Sequence, residues 1–194
     1  MCCARVVGAL LFMAAALNPG SHPARAQTPP TAPEPAQKSG AEQFGEEVML
    51  PGKPIVFVSG RASWDNAFQV LTERFKAIGA FLDRQKLKAA GPPMTIYTLV
   101  NDKGFEFQAA IPLAEAAANL PPGDFKAGQS PVGKALKFVH RGSYDSMDML
   151  YESITNFLDE KRIERQGVFV EEYVTDPVTT PEDKLVVNVY VLVK

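Results

Sequence analysis

After about residue 54 the chain reads as one unit written twice, and that doubling limits the possible folds more than any single motif does. The first copy runs from Ile55-Val56-Phe57-Val58 through Ser63-Trp64-Asp65 and a helical stretch ending Phe81-Leu82-Asp83, to Ile96-Tyr97. The second runs from Leu136-Lys137-Phe138-Val139 through Ser143-Tyr144-Asp145 and a helical stretch ending Phe157-Leu158-Asp159, to Glu172-Tyr173. Two similar halves must meet at a seam, and seams are where concave ligand sites tend to form.

Each copy carries the same periodicities. Ile55 to Ser59 and Leu136 to His140 are β-branched or aromatic runs of strand length. Trp64, Phe68, Leu71, Phe75, Ile78 and Leu82 recur at three- and four-residue steps, as do Tyr144, Met147, Tyr151, Ile154 and Leu158, so each copy holds one amphipathic helix. Two strands follow each helix. Met94 to Val100 and Phe105 to Ile111 are joined by a hairpin at Asn101-Asp102-Lys103-Gly104; Phe169 to Thr175 and Leu185 to Val193 are joined by a longer loop. Residues 113 to 132, with Pro121-Pro122-Gly123 and Ser130-Pro131, read as a crossover loop between the copies. The expected fold class is α+β, a duplicated strand–helix–strand–strand unit. Its mostly antiparallel sheet carries two helices, with a pocket at the pseudo-twofold seam.

The N-terminus points to an address outside the cytoplasm. Arg5 precedes an apolar run from Val6 to Leu17, and Ala24-Arg25-Ala26 forms an A-x-A cleavage site before Gln27, so residues 1–26 are expected to be a secretory signal. The apolar run is shorter than the roughly 20 residues of a membrane span, so no transmembrane segment is expected after cleavage. Both cysteines, Cys2 and Cys3, leave with the signal, which removes disulfides, thiolate catalysis and zinc–cysteine sites from consideration. The chain has 20 Lys and Arg; without Arg5 and Arg25, 18 remain against 22 acids. A formal charge of −4 with interleaved signs argues against a nucleic-acid surface. Residues 27–52, with Pro29, Pro30, Pro33 and Pro35, read as a flexible tether whose end, Glu46 to Leu50, can dock as an extra strand. The globular domain is expected over 53–194, with repeats at about 53–113 and 131–194. The location is expected to be periplasmic or secreted.

Three phrases of the second copy resemble a known family: Gly133-Lys134, then His140-Arg141-Gly142-Ser143-Tyr144-Asp145, then Glu171-Glu172-Tyr173-Val174-Thr175-Asp176-Pro177 with Pro181-Glu182 beyond. Together with Phe105-Glu106-Phe107-Gln108-Ala109-Ala110-Ile111-Pro112 in the first copy, they are similar to the GyrI-like effector-binding family. The resemblance covers about residues 53 to 194. It implies a duplicated fold whose central pocket takes small, often flat, apolar or cationic molecules. Members of that family occur fused to DNA-binding modules, as stand-alone proteins, and in some cases as hydrolases of strained electrophiles; the haem-associated SOUL proteins are similar in fold. This chain has a signal in place of a DNA-binding module. Gln108 stands where the first repeat often carries an acid, and Asn188 where the last strand often carries Glu.

Glu171 is the sharpest site candidate. Strand alternation puts Phe169, Glu171 and Tyr173 on one face and Val168, Val170 and Glu172 on the other. A carboxylate between two aromatic rings attracts cations, and in a poorly solvated place its pKa rises. Tyr173 and its counterpart Tyr97 offer a ring and a hydroxyl each. Trp64 and Tyr144 open the two helices at equivalent positions and are expected to line the same seam, while Tyr151 reads as core. Asn188 completes the ligand-binding set. His140, the one histidine left after signal removal, reads as a strand-end residue bonded to the following turn; alone it makes a poor metal site. No nucleophile–base pair, metal cluster or cofactor motif stands out.

The leading reading is an exported protein that holds an apolar or amphiphilic small molecule, cations among the candidates, between the two repeats. Two alternatives stand beside it: a hydrolase of reactive electrophiles using a pocket Glu, and an envelope module that binds another protein.

Overall fold

The structure is a computed structural model that describes residues 43–194. The expected signal and most of the expected tether lie outside the described residues. Eight strands and two helices follow in the order β1 (Glu46–Pro51), β2 (Pro54–Ala62), α1 (Ala67–Gln85), β3 (Met94–Asn101), β4 (Gly104–Pro112), β5 (Lys126–Gln129), β6 (Val132–Arg141), α2 (Met147–Lys161), β7 (Arg165–Tyr173) and β8 (Val186–Val193). The order strand, helix, strand, strand thus occurs twice, and the fold is α+β as expected. All strands form one antiparallel sheet in the order β1-β6-β8-β7-β3-β4-β2-β5. Strands β3 and β7, one from each half, pair at its centre through Met94↔Glu172 to Tyr97↔Phe169.

The extra strand expected at Glu46 to Leu50 forms as β1 and pairs with β6 along its whole length, so the sheet begins at Glu46 and not at 53. A second segment differs from expectation. The crossover contains a strand, β5, which pairs with β2 through Pro54↔Gln129 to Phe57↔Lys126. Each edge strand therefore sits on the half it does not directly precede.

That exchange forces the sheet to curl. Strands β1 and β2 lie six spacings apart in the sheet order, roughly 29 Å if flat at about 4.8 Å each. Only Gly52 and Lys53 join them, and Pro51 to Pro54 spans at most about 11 Å. Ser130 and Pro131 impose the same limit between β5 and β6. The two linkers are tied to each other: Ser130 N donates to the Lys53 carbonyl and Lys53 N to Ser130 Oγ, both at 2.9 Å.

The curl gives the sheet two unlike faces. Both helices pack on one, against Val56, Val58, Phe105, Phe107, Leu136, Phe138, Val187, Val189 and Val191. Leu71, Phe75, Ile78 and Leu82 form the buried stripe of α1, and Met147, Ile154 and Leu158 that of α2. Among the described residues no helix lies on the other face, yet Ile55, Met94, Ile96, Ala110, Ala135, Val170 and Leu192 are buried there as a second cluster. Strands alone bury them, which requires the sheet to wrap around this face.

The helices begin and end alike. A 3₁₀ turn precedes each one, Trp64–Asn66 and Tyr144–Ser146, so α1 starts three residues later than its apolar stripe suggests. Each ends on a left-handed residue that is not glycine, Lys86 (φ 55°) and Arg162 (φ 54°). In both, the next amide, Leu87 or Ile163, closes the turn by donating to the carbonyl of Leu82 or Leu158. His140 is buried, with Nε2 2.9 Å from the Ser143 carbonyl oxygen in the turn that starts the second helical segment.

Candidate functional site

Near the centre of the sheet β3 and β7 part company. Their pairing ends at Tyr97↔Phe169, and both strands are irregular just beyond it, β3 between Tyr97 and Leu99 and β7 between Arg165 and Phe169. A cavity of about 770 Å³ opens there, with the first turns of both helical segments over it. Trp64 and Ala67 come from one half of the chain, Tyr144, Met147 and Tyr151 from the other; Tyr97, Phe169 and Glu171 come from the central strands. Phe68 and Tyr144 stack across the gap, ring centroids 5.1 Å apart, so the two helix starts touch.

Glu171 lies at the base of this cavity, fully buried. Tyr151 donates to Oε1 and Tyr173 to Oε2, both at 2.7 Å, and Tyr144 reaches Oε2 at 3.5 Å. The Tyr97 hydroxyl is 3.3 Å from that of Tyr144, extending the network to a fourth ring. Among the described residues Glu171 has no basic partner. Burial pushes its pKa up from the ordinary 4.5, and the tyrosine hydrogen bonds pull the other way. Burial, and then the charge of Glu171, push the hydroxyls of all four tyrosines well above their ordinary value, so they remain donors. The result is a carboxyl whose hydrogen bonds come from phenols.

The rim carries charge of both signs: Asp145 and Asp148 beside the start of α2, and Arg165 with its guanidinium carbon 5.6 Å from the centre of the Phe169 ring. Trp64, Leu99 and Val100 also line the mouth, each about half exposed, and Trp64 Nε1 donates to the Asn101 carbonyl at 3.0 Å.

Of the residues singled out from sequence, the structure brings Trp64, Tyr97, Tyr144 and Glu171 to the cavity wall, with Tyr173 buried directly behind Glu171. Asn188 is not among them. On β8, Val187 and Val189 face the helices, so Asn188 points to the opposite face, where Nδ2 lies 3.2 Å from Glu172 Oε2 and 3.3 Å from the Tyr190 hydroxyl. Tyr151, read from sequence as core, packs against the core and is also one of the two short donors to Glu171. Its signal was its place two helical turns after Tyr144, on the same face. Thr95, beside Glu171 in the β3–β7 register, is fully buried on the same face as Tyr173. Among the described residues no group of three His, Cys, Asp or Glu side chains is placed to hold a metal, and no helix is long and apolar enough to cross a membrane.

Comparison with known proteins agrees with this architecture. Residues 46–194 match the GyrI-like small molecule binding domain. The chain belongs to the GyrI-like family. No curated protein matches it in sequence. Among solved structures, it is similar to EcmrR in its DNA complex with RPo, at a TM-score of 0.66 and 13% identity over 77% of this chain; the chain spans 57% of the length of that protein. It is also similar to SAV2435 bound to tetraphenylphosphonium, at a TM-score of 0.58 and 12% identity over 78% of this chain and 94% of that one. A hydrolase from Listeria innocua gives a TM-score of 0.56 and 10% identity over 80% and 94%. At such identities these likenesses speak to the fold, and they match the curled eight-stranded GyrI-like sheet with its two helices.

Proposed function

We propose that this GyrI-like protein is exported and binds an apolar or amphiphilic cation in the cavity where its two repeats meet. One observation carries the reading: Glu171 is a fully buried carboxyl at the base of an aromatic-walled cavity, held by neutral hydroxyls and unpaired with any described basic group. A buried charge without a partner is costly, and a ligand cation is the group that offsets the cost. The rings of Tyr97, Tyr144, Tyr151 and Phe169 add cation–π attraction and apolar contact. The volume suits a small organic molecule. A structural relative bound to tetraphenylphosphonium, an apolar cation, supports the same class of ligand here. An open cavity at the seam also favours ligand binding over the envelope interaction module, which calls for a closed one. Export rests on the charged and apolar pattern of residues 1–26.

Calorimetric titration with tetraphenylphosphonium and with triphenylphosphine oxide, a neutral relative, tests the proposal. The cation is expected to bind at least tenfold more tightly, and Glu171→Gln to abolish the difference. Equal affinity for the two probes, or a preference that survives Glu171→Gln, would overturn it.

A further inference from the structure

The face of the sheet away from the helices holds a second cavity, of about 370 Å³, where β1 and the Gly52–Lys53 and Ser130–Pro131 linkers close the curl. Curled sheets and barrels commonly take small ligands at such mouths. Val48, Leu50, Met94 and Val170 supply its apolar surface. Its charged groups are Glu46, Lys53, Lys137 and Glu172. They are unequally matched. Glu172 is 14% exposed and already accepts from the Tyr190 hydroxyl at 2.9 Å and from Asn188 Nδ2 at 3.2 Å. Both neutral donors serve Oε2; Oε1 faces Lys53 Nζ across 3.5 Å. The side chain of Lys137 is 24% exposed, and its nearest acid, Glu46, is half exposed and 3.8 Å distant. Both lysine contacts exceed the 2.7–3.2 Å of a good N–H···O bond. Neither ammonium group makes a short bond to an acid here, so each keeps donors for a further acceptor.

We propose that the interior of the curled sheet is a second ligand site, selective for a small amphiphilic monoanion such as an aliphatic or aromatic carboxylate. The carboxylate takes charge-assisted hydrogen bonds from Lys137 and Lys53, and the apolar body covers Val48, Leu50, Met94 and Val170. Glu171 and Glu172 are consecutive on β7 and face opposite ways, so one strand separates a cavity suited to cations from one suited to anions. This inference stands on its own cavity and does not depend on the reading of the Glu171 site.

Calorimetric titration of the full chain with octanoate, 1-octanol and octylammonium tests it. Octanoate is expected to bind one to one and at least tenfold more tightly than the other two. Saturating tetraphenylphosphonium should leave that affinity within twofold, and Trp64 emission should not change, because Trp64 belongs to the other cavity. Lys137→Gln is expected to weaken octanoate at least tenfold, and Val48→Trp, which fills the cavity from the edge strand, to do the same, with both variants unfolding cooperatively. Absence of octanoate binding at 10 mM, equal binding of 1-octanol, competition by tetraphenylphosphonium, or unchanged affinity in folded Lys137→Gln and Val48→Trp would each overturn the proposal.

Discussion

Glu171 has an elevated pKa because burial takes water from its charged form, and the folded protein therefore keeps that proton to a higher pH than the unfolded chain does. Between the ordinary 4.5 and the folded value the native state binds more protons. The contribution to stability is complete below that window and is lost as the pH rises through it. Urea denaturation at a series of pH values should show stability falling across this range in the parent protein, and a flatter profile in Glu171→Gln. Tyr151→Phe and Tyr173→Phe each remove a 2.7 Å donor from the carboxyl. Each is expected to cost about 1.5–3 kcal/mol once Glu171 is ionised, the scale for a hydrogen bond to a charged group, and less at acid pH. At this scale strand alternation was enough to place Glu171 beside Tyr173 and opposite Glu172. Asn188 came instead from the likeness to the family's last strand, where a shift of one residue moves a side chain through the sheet, and it lies on the opposite face. The core reading of Tyr151 holds for its ring, which packs on the core, but a helical stripe does not report where the hydroxyl ends.

The helices are legible in the sequence because three- and four-residue spacing of large apolar side chains has one structural meaning, and the interior of each stripe packs as expected. Their exact starts are not, since a 3₁₀ turn and the first α turn carry the same spacing. The left-handed ends at Lys86 and Arg162 give a direct test. A residue with a Cβ pays roughly 1–2 kcal/mol in that conformation. Lys86→Gly and Arg162→Gly are each expected to raise stability by about 1 kcal/mol, read from the urea midpoint at unchanged slope. Phe75 of α1 packs edge-on against Tyr173, centroids 5.2 Å apart, which links helix packing to the binding network. Phe75→Ala is expected to cost about 3–5 kcal/mol and to weaken cation binding as well. The edge strands were the hardest elements to see. Four-residue β5 is mostly exposed and follows a stretch rich in Pro and Gly, and β1 has only Val48 and Leu50 as partly buried apolar residues. From sequence, β1 reads only as an extra strand that can dock, and β5 does not stand out from the crossover loop.

For the whole molecule, the doubled unit led from the sequence to the α+β class and to a site between the halves, but strand order cannot be read from periodicity. The exchange of β1 and β5 between halves, which closes the curl and creates the interior cavity, is a property of pairing alone. A chain begun at residue 53 would lose β1 and uncover the edge of β6; it is expected to unfold at a lower urea concentration than one begun at 43. Export has an equally simple check, since N-terminal sequencing of protein recovered from the periplasm or medium should start at Gln27. The central claim is that Glu171 is a buried carboxyl, unpaired with any described basic side chain, that a ligand cation ionises. The most direct measurement is the ¹³C carboxyl titration of Glu171 by NMR, assigned with Glu171→Gln, with and without saturating tetraphenylphosphonium. A pKa above 4.5 in the free protein that falls on binding, with proton release near the free value, is the expected result. An ordinary pKa that tetraphenylphosphonium leaves unchanged would contradict the account.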